Sequence, residues 1–122
     1  MTWQTAPPRP TVPFCTLATT PNRTRMARLN MEGSALAKEI CARLDVPYLQ
    51  CGSLVLALSP EELPHLQKLY ENGIANGVEG LRIIERDELV GMEPNISDAA
   101  VAALWAPTGG IVCPFGLTFA LA

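Results

Sequence analysis

The sequence contains no long apolar run, although hydrophobic residues make up 48% of its 122 positions. A membrane-spanning helix needs roughly 18 or more mostly apolar residues in succession, so none is predicted. Basic residues are also scarce: the chain has nine Lys and Arg and twelve Asp and Glu, which gives a net charge of -3. Such a balance predicts no nucleic-acid-binding face. The start, MTWQTAPPRPTVPF, lacks the basic and apolar regions of a signal peptide, so a cytoplasmic location is predicted.

Metal-ligating and nucleophilic patterns are missing as well. The four cysteines are far apart and irregularly spaced, without the CxxC pairs of a zinc site, and His65 is the single histidine. A cysteine nucleophile would need a histidine partner and an orienting group, for which no local signature exists. We therefore predict free thiols in a reducing compartment, no metal site and no catalytic residue. The cysteines are Cys15, Cys41, Cys51 and Cys113.

The chain also lacks a G-x-G-x-x-G phosphate-binding motif. The glycines of ENGIANGVEG follow a predicted helix instead of opening one, which is typical of helix caps and turns. No cofactor-binding residue is predicted from the residues themselves. An acidic cluster offers general acid–base chemistry as one interpretation and a solvated first helical turn as the favoured one. Its members are Glu85, Asp87, Glu88 and Glu93.

Residues 1–24 differ in composition from the rest of the chain, since they hold five of the eleven prolines. Prolines at this spacing interrupt any helical or strand periodicity, so this segment is expected to be disordered or extended. From Thr24, RMARLNMEGSALAKEICARLDV predicts an amphipathic helix that ends before Pro47. Its apolar stripe is predicted to consist of Met26, Leu29, Leu36, Ile40 and Leu44, with Met31 loosely aligned.

Further elements follow from local signals. PYLQCGSLVLALS predicts a β-hairpin around Cys51-Gly52 whose second strand, 54–58, is buried. Ser59-Pro60-Glu61-Glu62 predicts a capped helix start, with an exposed His65 and a stop at Asn72-Gly73 or Asn76-Gly77. GLRIIE predicts a strand and RDELVGMEP a short helix. AAVAALWAP and GIVCP predict a strand pair around Thr108-Gly109-Gly110, and Pro114 opens a last helix. This order predicts an α+β fold.

The stretch from Met26 to Ala122 resembles the FAD-dependent glycerol-3-phosphate dehydrogenases. It resembles the L-2-hydroxyglutarate oxidases of the same D-amino-acid-oxidase-like superfamily almost as closely. The segments that carry the resemblance are Cys51-Gly52-x-Leu54-Val55, Asn76-Gly77-Val78 before a Leu-Arg strand, Met92-Glu93-Pro94-Asn95, and Ala106-Pro107-Thr108-Gly109-Gly110-Ile111-Val112.

The resemblance implies a fragment of the substrate (cap) domain, with helices packed on a small, mostly antiparallel sheet. It implies substrate-domain sequence at 25–113 and, at 114–122, a truncated helix that returns to the FAD domain. The family uses FAD, whereas this chain alone is expected to hold none. The implied substrate is a small molecule, glycerol 3-phosphate or a 2-hydroxy acid. Thr108, Gly109 and Gly110 are the residues that the resemblance places on the substrate side, close to the flavin.

The resemblance also suggests an origin for residues 1–24. Just before the sequence that resembles ARLN, the family carries a motif like TTKANSAVLHAGYDPEP, whose histidine lies near the flavin, and His65 does not occupy that position. Codons read two bases late across residues 1–24 can encode a similar stretch. We therefore predict that this segment is an out-of-frame translation, with an unrelated N-terminal extension as the alternative.

Two functions remain open at this point. The first is a fragment of an FAD-dependent oxidoreductase that moves a hydride from a secondary alcohol to flavin and is inactive alone. The second is a stand-alone binding or regulatory module that keeps the substrate-domain fold and associates with an intact oxidoreductase. An independent hydrolase or metal enzyme has no nucleophile or ligand cluster to support it.

Overall fold

A computed structural model describes residues 12–13 and 23–122 of the chain. Most of the segment 1–24 therefore lies outside the described residues, so its expected disorder and altered reading frame stay predictions. Within it, Val12–Pro13 forms a strand, β1.

The described chain contains four helices and six short strands. The helices are α1 (Arg25–Arg43), α2 (Leu63–Ala75), α3 (Arg86–Met92) and α4 (Pro114–Leu121). The other strands are β2 (Tyr48–Leu49), β3 (Ser53–Ala57), β4 (Arg82–Glu85), β5 (Ala102–Ala106) and β6 (Ile111–Val112). The strands form two three-stranded sheets, and every pairing in the described part is antiparallel. The α+β prediction is thereby confirmed.

The larger sheet has the strand order β3-β5-β4 and is covered on both faces. Side chains alternate across a strand, so Ala102, Leu104 and Ala106 of β5 face one side and Ala103 the other. The first side packs with Leu66 and Leu69 of α2 in one core cluster. Ala103 packs in a second cluster, which also holds Ile84 and Leu89. Helices α2 and α3 therefore enclose the sheet from opposite faces.

The smaller sheet has the order β1-β6-β2. Cys41 near the end of α1, Val46 and Val112 of β6 form its buried cluster. Leu117 and Ala120 of α4 pack against the same cluster. The end of α1 and the last helix are thus held against one sheet.

Both predicted hairpins are wrong, although their strands exist. β2 pairs with β6 and β3 pairs with β5, so Gly52, with φ of 72°, lies where the chain leaves one sheet for the other. The segment 107–110 likewise connects the two sheets, because β5 pairs with β3 and β4 while β6 pairs with β1 and β2. Turn residues predicted a reversal, but the side-chain contacts of each strand favoured a partner distant in sequence.

The apolar stripe predicted on α1 faces the core only in part, since Met31 and Leu44 pack against core clusters and the other four residues do not. Met26, Leu29, Leu36 and Ile40 are 62%, 58%, 51% and 36% exposed. The buried residues are Ala27, Ala37 and Cys41, on the neighbouring side of the helix. The side of α1 that packs against the rest of the described chain therefore carries mostly small side chains.

Helix α2 follows its predicted signals with one change. Pro60–Glu62 forms a 3₁₀ turn before the helix, and Ser59 caps it by backbone conformation without a side-chain hydrogen bond. The Glu62 carboxylate accepts a hydrogen bond from the Leu58 amide at 2.6 Å. The helix ends at Ala75, before Asn76-Gly77, so Gly73 is a buried residue inside it. The strand predicted as buried at 54–58 is only partly so, since Ala57 is buried while Leu56 and Leu58 are exposed.

None of the helices in the described ranges combines the length and the hydropathy that crossing a membrane requires.

Candidate functional site

The predicted site residues Thr108, Gly109 and Gly110 lie in the connection between β5 and β6. The Gly109 carbonyl accepts a hydrogen bond from the Gly52 amide at 2.8 Å, and the Gly109 amide donates to the Ala106 carbonyl at 3.3 Å. Both glycines are buried, while Thr108 is half-buried. The connection is therefore fixed against the other crossing between the sheets, at Gly52.

Gly110 in this connection is explained by close packing. Neither Gly109 nor Gly110 has a positive φ, so a tight turn that needs a left-handed backbone is not what selects them. A Cβ on Gly110 would collide with the Tyr48 hydroxyl group and lie 3.0 Å from Tyr48 Cε1. The absence of a side chain at Gly110 is what lets the Tyr48 ring lie across this connection.

Thr108 borders an open cleft of about 330 Å³ between α1, β2 and the segment that follows α2. A cleft of this size lies at the lower end of the range for small-molecule sites. The lining combines apolar side chains with several polar groups from distant parts of the chain. The lining residues are Met31, Ser34, Ala35, Lys38, Tyr48, Gln50, Gly77, Val78, Glu79 and Thr108.

The polar groups of the cleft suit a small hydroxylated ligand. Ser34 and Lys38 are one helical turn apart on α1, so both reach the same side of the helix. Among the described residues, the structure shows no ion pair for Lys38 and no hydrogen bond for the Thr108 hydroxyl. Gln50 donates to the Pro107 carbonyl at 3.3 Å and so supports the connection beside the cleft. The arrangement can bind and orient a ligand, but it contains no nucleophile paired with a base.

Of this lining, the sequence predicts only Thr108 as a site residue, and its role in binding stays a prediction. Lys38, Tyr48 and Glu79 come from three separate elements, which only the fold brings together. The i, i+4 spacing of Ser34 and Lys38 was visible in the sequence. Only the structure shows that this side of α1 borders the cleft.

The acidic cluster does not form one site. Glu88 pairs with Arg82 at 2.6 Å, and both side chains are about half exposed. Glu93 accepts hydrogen bonds from the amide and side chain of Asn95, both at 3.1 Å. Asp87 and Glu88 lie in the first turn of α3. These contacts agree with the favoured interpretation of a solvated helix start, and His65 is exposed on α2 as predicted.

Three of the four cysteines lie within the described residues, and all three are free thiols. Cys51 is exposed, and the Cys113 sulfur accepts a hydrogen bond from the Gly116 amide at the start of α4. Burial raises the pKa of the Cys41 thiol, which keeps it neutral and unreactive around neutral pH. In the described ranges, no group of three or more potential ligands is placed to hold a metal ion.

The described residues do not fit the phosphates of FAD. A dinucleotide is held by a glycine-rich turn between a strand and the start of a helix. In the described part of the chain, α1 follows Arg23-Thr24 and α2 follows a 3₁₀ turn. α3 follows β4 without a loop, and α4 starts at Cys113-Pro114. No step of flavin chemistry can be derived from these residues.

Known proteins with similar sequences and structures point to one family. Residues 5–122 match the family described as FAD dependent oxidoreductase. The glycerol 3-phosphate dehydrogenase of Caloramator mitchellensis is 46% identical over 99 residues, which are 81% of this chain and 21% of that protein. The mitochondrial L-2-hydroxyglutarate dehydrogenase of Mus musculus is 45% identical over 86 residues, 70% of this chain and 18% of that protein.

The fold agrees with this relationship. The FAD-bound L-α-glycerophosphate oxidase of Mycoplasma pneumoniae superposes with a TM-score of 0.82 at 21% identity, over 93% of this chain and 30% of that chain. The chain spans about a fifth of the length of the curated relatives that it matches. On its sequence match, the chain belongs to the FAD-dependent oxidoreductase family, which uses FAD as its cofactor.

Proposed function

We propose that this chain is the substrate-side part of an FAD-dependent oxidoreductase of the glycerol-3-phosphate dehydrogenase type. The reaction removes a hydride from a secondary alcohol carbon and gives it to flavin, while the alcohol proton leaves and a ketone forms. The chain's contribution is to bind and orient the substrate, and it is inactive by itself. The compartment in which it acts stays a prediction, namely the cytoplasm.

The observation that carries this proposal is the 46% identity to the Caloramator glycerol 3-phosphate dehydrogenase over 99 residues. Identity at this level, over most of the chain, supports a shared role more strongly than the fold does, because one fold serves many reactions. The chain aligns with only 21% of that relative, which supports the proposal that it is inactive by itself. In the proposal, the residues that bind FAD lie outside the described residues.

Within the chain, the proposal places substrate beside Thr108 in the cleft. Glycerol 3-phosphate and 2-hydroxy acids are both hydroxylated anions. Lys38 supplies a positive charge for such an anion, and the Thr108 hydroxyl, which has no hydrogen-bond partner among the described residues, supplies a hydrogen bond. The domain division at residues 24–25 and 113–114 is part of the same proposal.

A stand-alone binding or regulatory module is the other candidate, and the comparisons do not favour it. A module that does not bind substrate would not need to keep the substrate-side sequence of the enzymes. The identity to two dehydrogenases is nevertheless above 40%.

A chimaera tests the proposal. In it, the segment of this chain that aligns with the Caloramator enzyme replaces its counterpart in that enzyme. We expect the chimaera to bind FAD and oxidise glycerol 3-phosphate, while the isolated chain shows neither flavin absorbance nor turnover. An isolated chain that binds stoichiometric FAD and oxidises an alcohol would refute the proposal.

The role of the connection between β5 and β6 has its own test. In the chimaera, Thr108→Val should lower kcat/KM about 3- to 10-fold, the loss of roughly one hydrogen bond. Thr118→Val is the matched control, because the Thr118 hydroxyl donates to the Pro114 carbonyl on α4, away from the cleft. Equal effects of the two substitutions in steady-state kinetics would remove Thr108 from the site.

A further inference from the structure

The cleft beside Thr108 contains two charged side chains of opposite sign, Lys38 on α1 and Glu79 in the segment between α2 and β4. Both residues are exposed, and among the described residues neither side chain forms an ion pair or a hydrogen bond. The other polar side chains of the lining carry hydroxyl or amide groups and belong to Ser34, Tyr48, Gln50 and Thr108. The cleft therefore offers a ligand one positive charge and one carboxylate, which do not pair with each other.

The backbone around Glu79 is held in place on both sides. Val78 is buried in the core cluster of the larger sheet. Gly80 has a φ of 71°, and a Cβ on it would lie 2.8 Å from Pro107 Cγ, so its backbone passes close to the residue before Thr108. Glu79 lies between these two contacts. The backbone that carries Glu79 is therefore anchored beside the connection that carries Thr108.

Lys38 belongs to a different wall of the cleft. Helix α1 approaches the segment of Glu79 at Met31, whose Cε would lie 3.8 Å from a Cβ on Gly77. Lys38 comes seven residues later on the same helix, about 10 Å further along its axis. Since the two charges stand on separate walls, they can contact different ends of one ligand.

This arrangement distinguishes between the two candidate substrates. Glycerol 3-phosphate has one anionic end, and on the other side of its secondary alcohol carbon it has a neutral hydroxymethyl group, which can donate a hydrogen bond to a carboxylate. L-2-hydroxyglutarate has a carboxylate at both ends. Whichever end Lys38 binds, the other would meet Glu79, and the described lining provides no second positive charge to offset the repulsion.

We propose that Glu79 is a specificity-determining residue of this cleft. It accepts a hydrogen bond from the hydroxymethyl group of glycerol 3-phosphate, and it repels ligands that carry a second anionic group at that position. The cleft thus favours phosphorylated polyols over dicarboxylates. This inference rests on the proposed function, which places the substrate in the cleft with its anionic end at Lys38.

A matched pair of ligands isolates the contribution of Glu79. In 3-phosphoglycerate a carboxylate replaces the hydroxymethyl group of glycerol 3-phosphate, while the phosphate and the secondary alcohol stay the same. Both ligands, with the same configuration at the alcohol carbon, are titrated into the isolated chain, and the shifts of its backbone amide resonances give each Kd. We expect glycerol 3-phosphate to bind about tenfold more tightly than 3-phosphoglycerate.

Substitutions then show whether the charge of Glu79 causes this preference. Glu79→Gln should abolish most of it, and Glu79→Lys should reverse it, with the amide spectrum reporting that each variant is folded. Glu71→Gln is the matched control and should leave the preference unchanged, because Glu71 lies on α2 outside the cleft and accepts a hydrogen bond from Gln67 at 3.2 Å. At about 1 M salt, where the Debye length falls to about 3 Å, the preference should shrink to about threefold or less.

Four results would overturn the inference. They are an unchanged preference in Glu79→Gln, an equal loss of preference in Glu71→Gln, a preference that salt does not weaken, and the absence of ligand-induced shifts at residues 77–79 and Thr108. Kinetics of the chimaera separate this inference from the proposed function. An active chimaera whose inhibition by 3-phosphoglycerate is the same with Glu79→Gln contradicts the role of Glu79 alone. An inactive chimaera loaded with FAD, beside an isolated chain that discriminates as expected, contradicts the proposed function alone.

Discussion

Replacing Gly52 by alanine is expected to lower the free energy of unfolding by about 2–5 kcal/mol. Gly52 has a φ of 72°, which a residue with a side chain adopts only at a cost. A Cβ there would also fall on the Trp105 ring, 2.5 Å from Cζ3 and 2.7 Å from Cζ2. The ring would have to move, and with it the packing of β5 at the centre of the larger sheet. Urea denaturation followed by circular dichroism measures the change.

Gly77→Ala separates the two contributions to this loss. Gly77 has a similar φ of 84°, but a Cβ there would meet its nearest neighbour, Met31 Cε, at an ordinary 3.8 Å. Only the backbone cost of about 1–2 kcal/mol then remains. If the two variants lose the same free energy, the contact between Gly52 and Trp105 does not contribute as described.

Leu104→Ala is expected to destabilise the chain by about 2–5 kcal/mol, enough to threaten folding of a domain this small. Leu104 is 1% exposed and lies on β5, between the two other strands of the larger sheet. Removing its side chain leaves a cavity among the residues that pack against α2, which cannot close without moving the sheet. The same denaturation experiment measures the loss.

Leu58→Ala is the matched control for this substitution, because Leu58 is 50% exposed just beyond β3. Its loss should stay within about 0.5–1 kcal/mol. Similar midpoints for the two alanine variants would mean that the larger sheet is not the stable centre of the chain.

Local signals predicted the elements of this fold well. Helix α4 begins at its proline as predicted, and helix α2 ends before Asn76-Gly77, the second of its two predicted stops. The strand at 82–85 lies within GLRIIE, and the short helix at 86–92 lies within RDELVGMEP. These features depend on a few neighbouring residues, through caps, turns and prolines. The predicted stripe of α1 is buried only at Met31 and Leu44, for the opposite reason. Periodicity shows that an apolar face exists but does not show what packs against it.

Strand pairing and the site needed information that no local pattern holds. Gly52 and the connection at 107–110 both look like hairpin turns, yet each carries the chain from one sheet to the other. The hydrogen bond from the Gly52 amide to the Gly109 carbonyl joins residues far apart in sequence. Lys38 and Tyr48 reach the cleft beside Thr108 only once these crossings are in place. Resemblance to a family could indicate Thr108, but the residues facing it had to come from the fold.

The central claim is that this chain binds and orients the substrate in a flavin-dependent oxidation of an alcohol. Its most direct test is an anaerobic titration of the purified chimaera with glycerol 3-phosphate, followed by the absorbance of its bound flavin. The account predicts that the flavin is fully reduced by a stoichiometric amount of substrate. A chimaera that is folded and loaded with FAD, but whose flavin stays oxidised with both glycerol 3-phosphate and L-2-hydroxyglutarate, would contradict it.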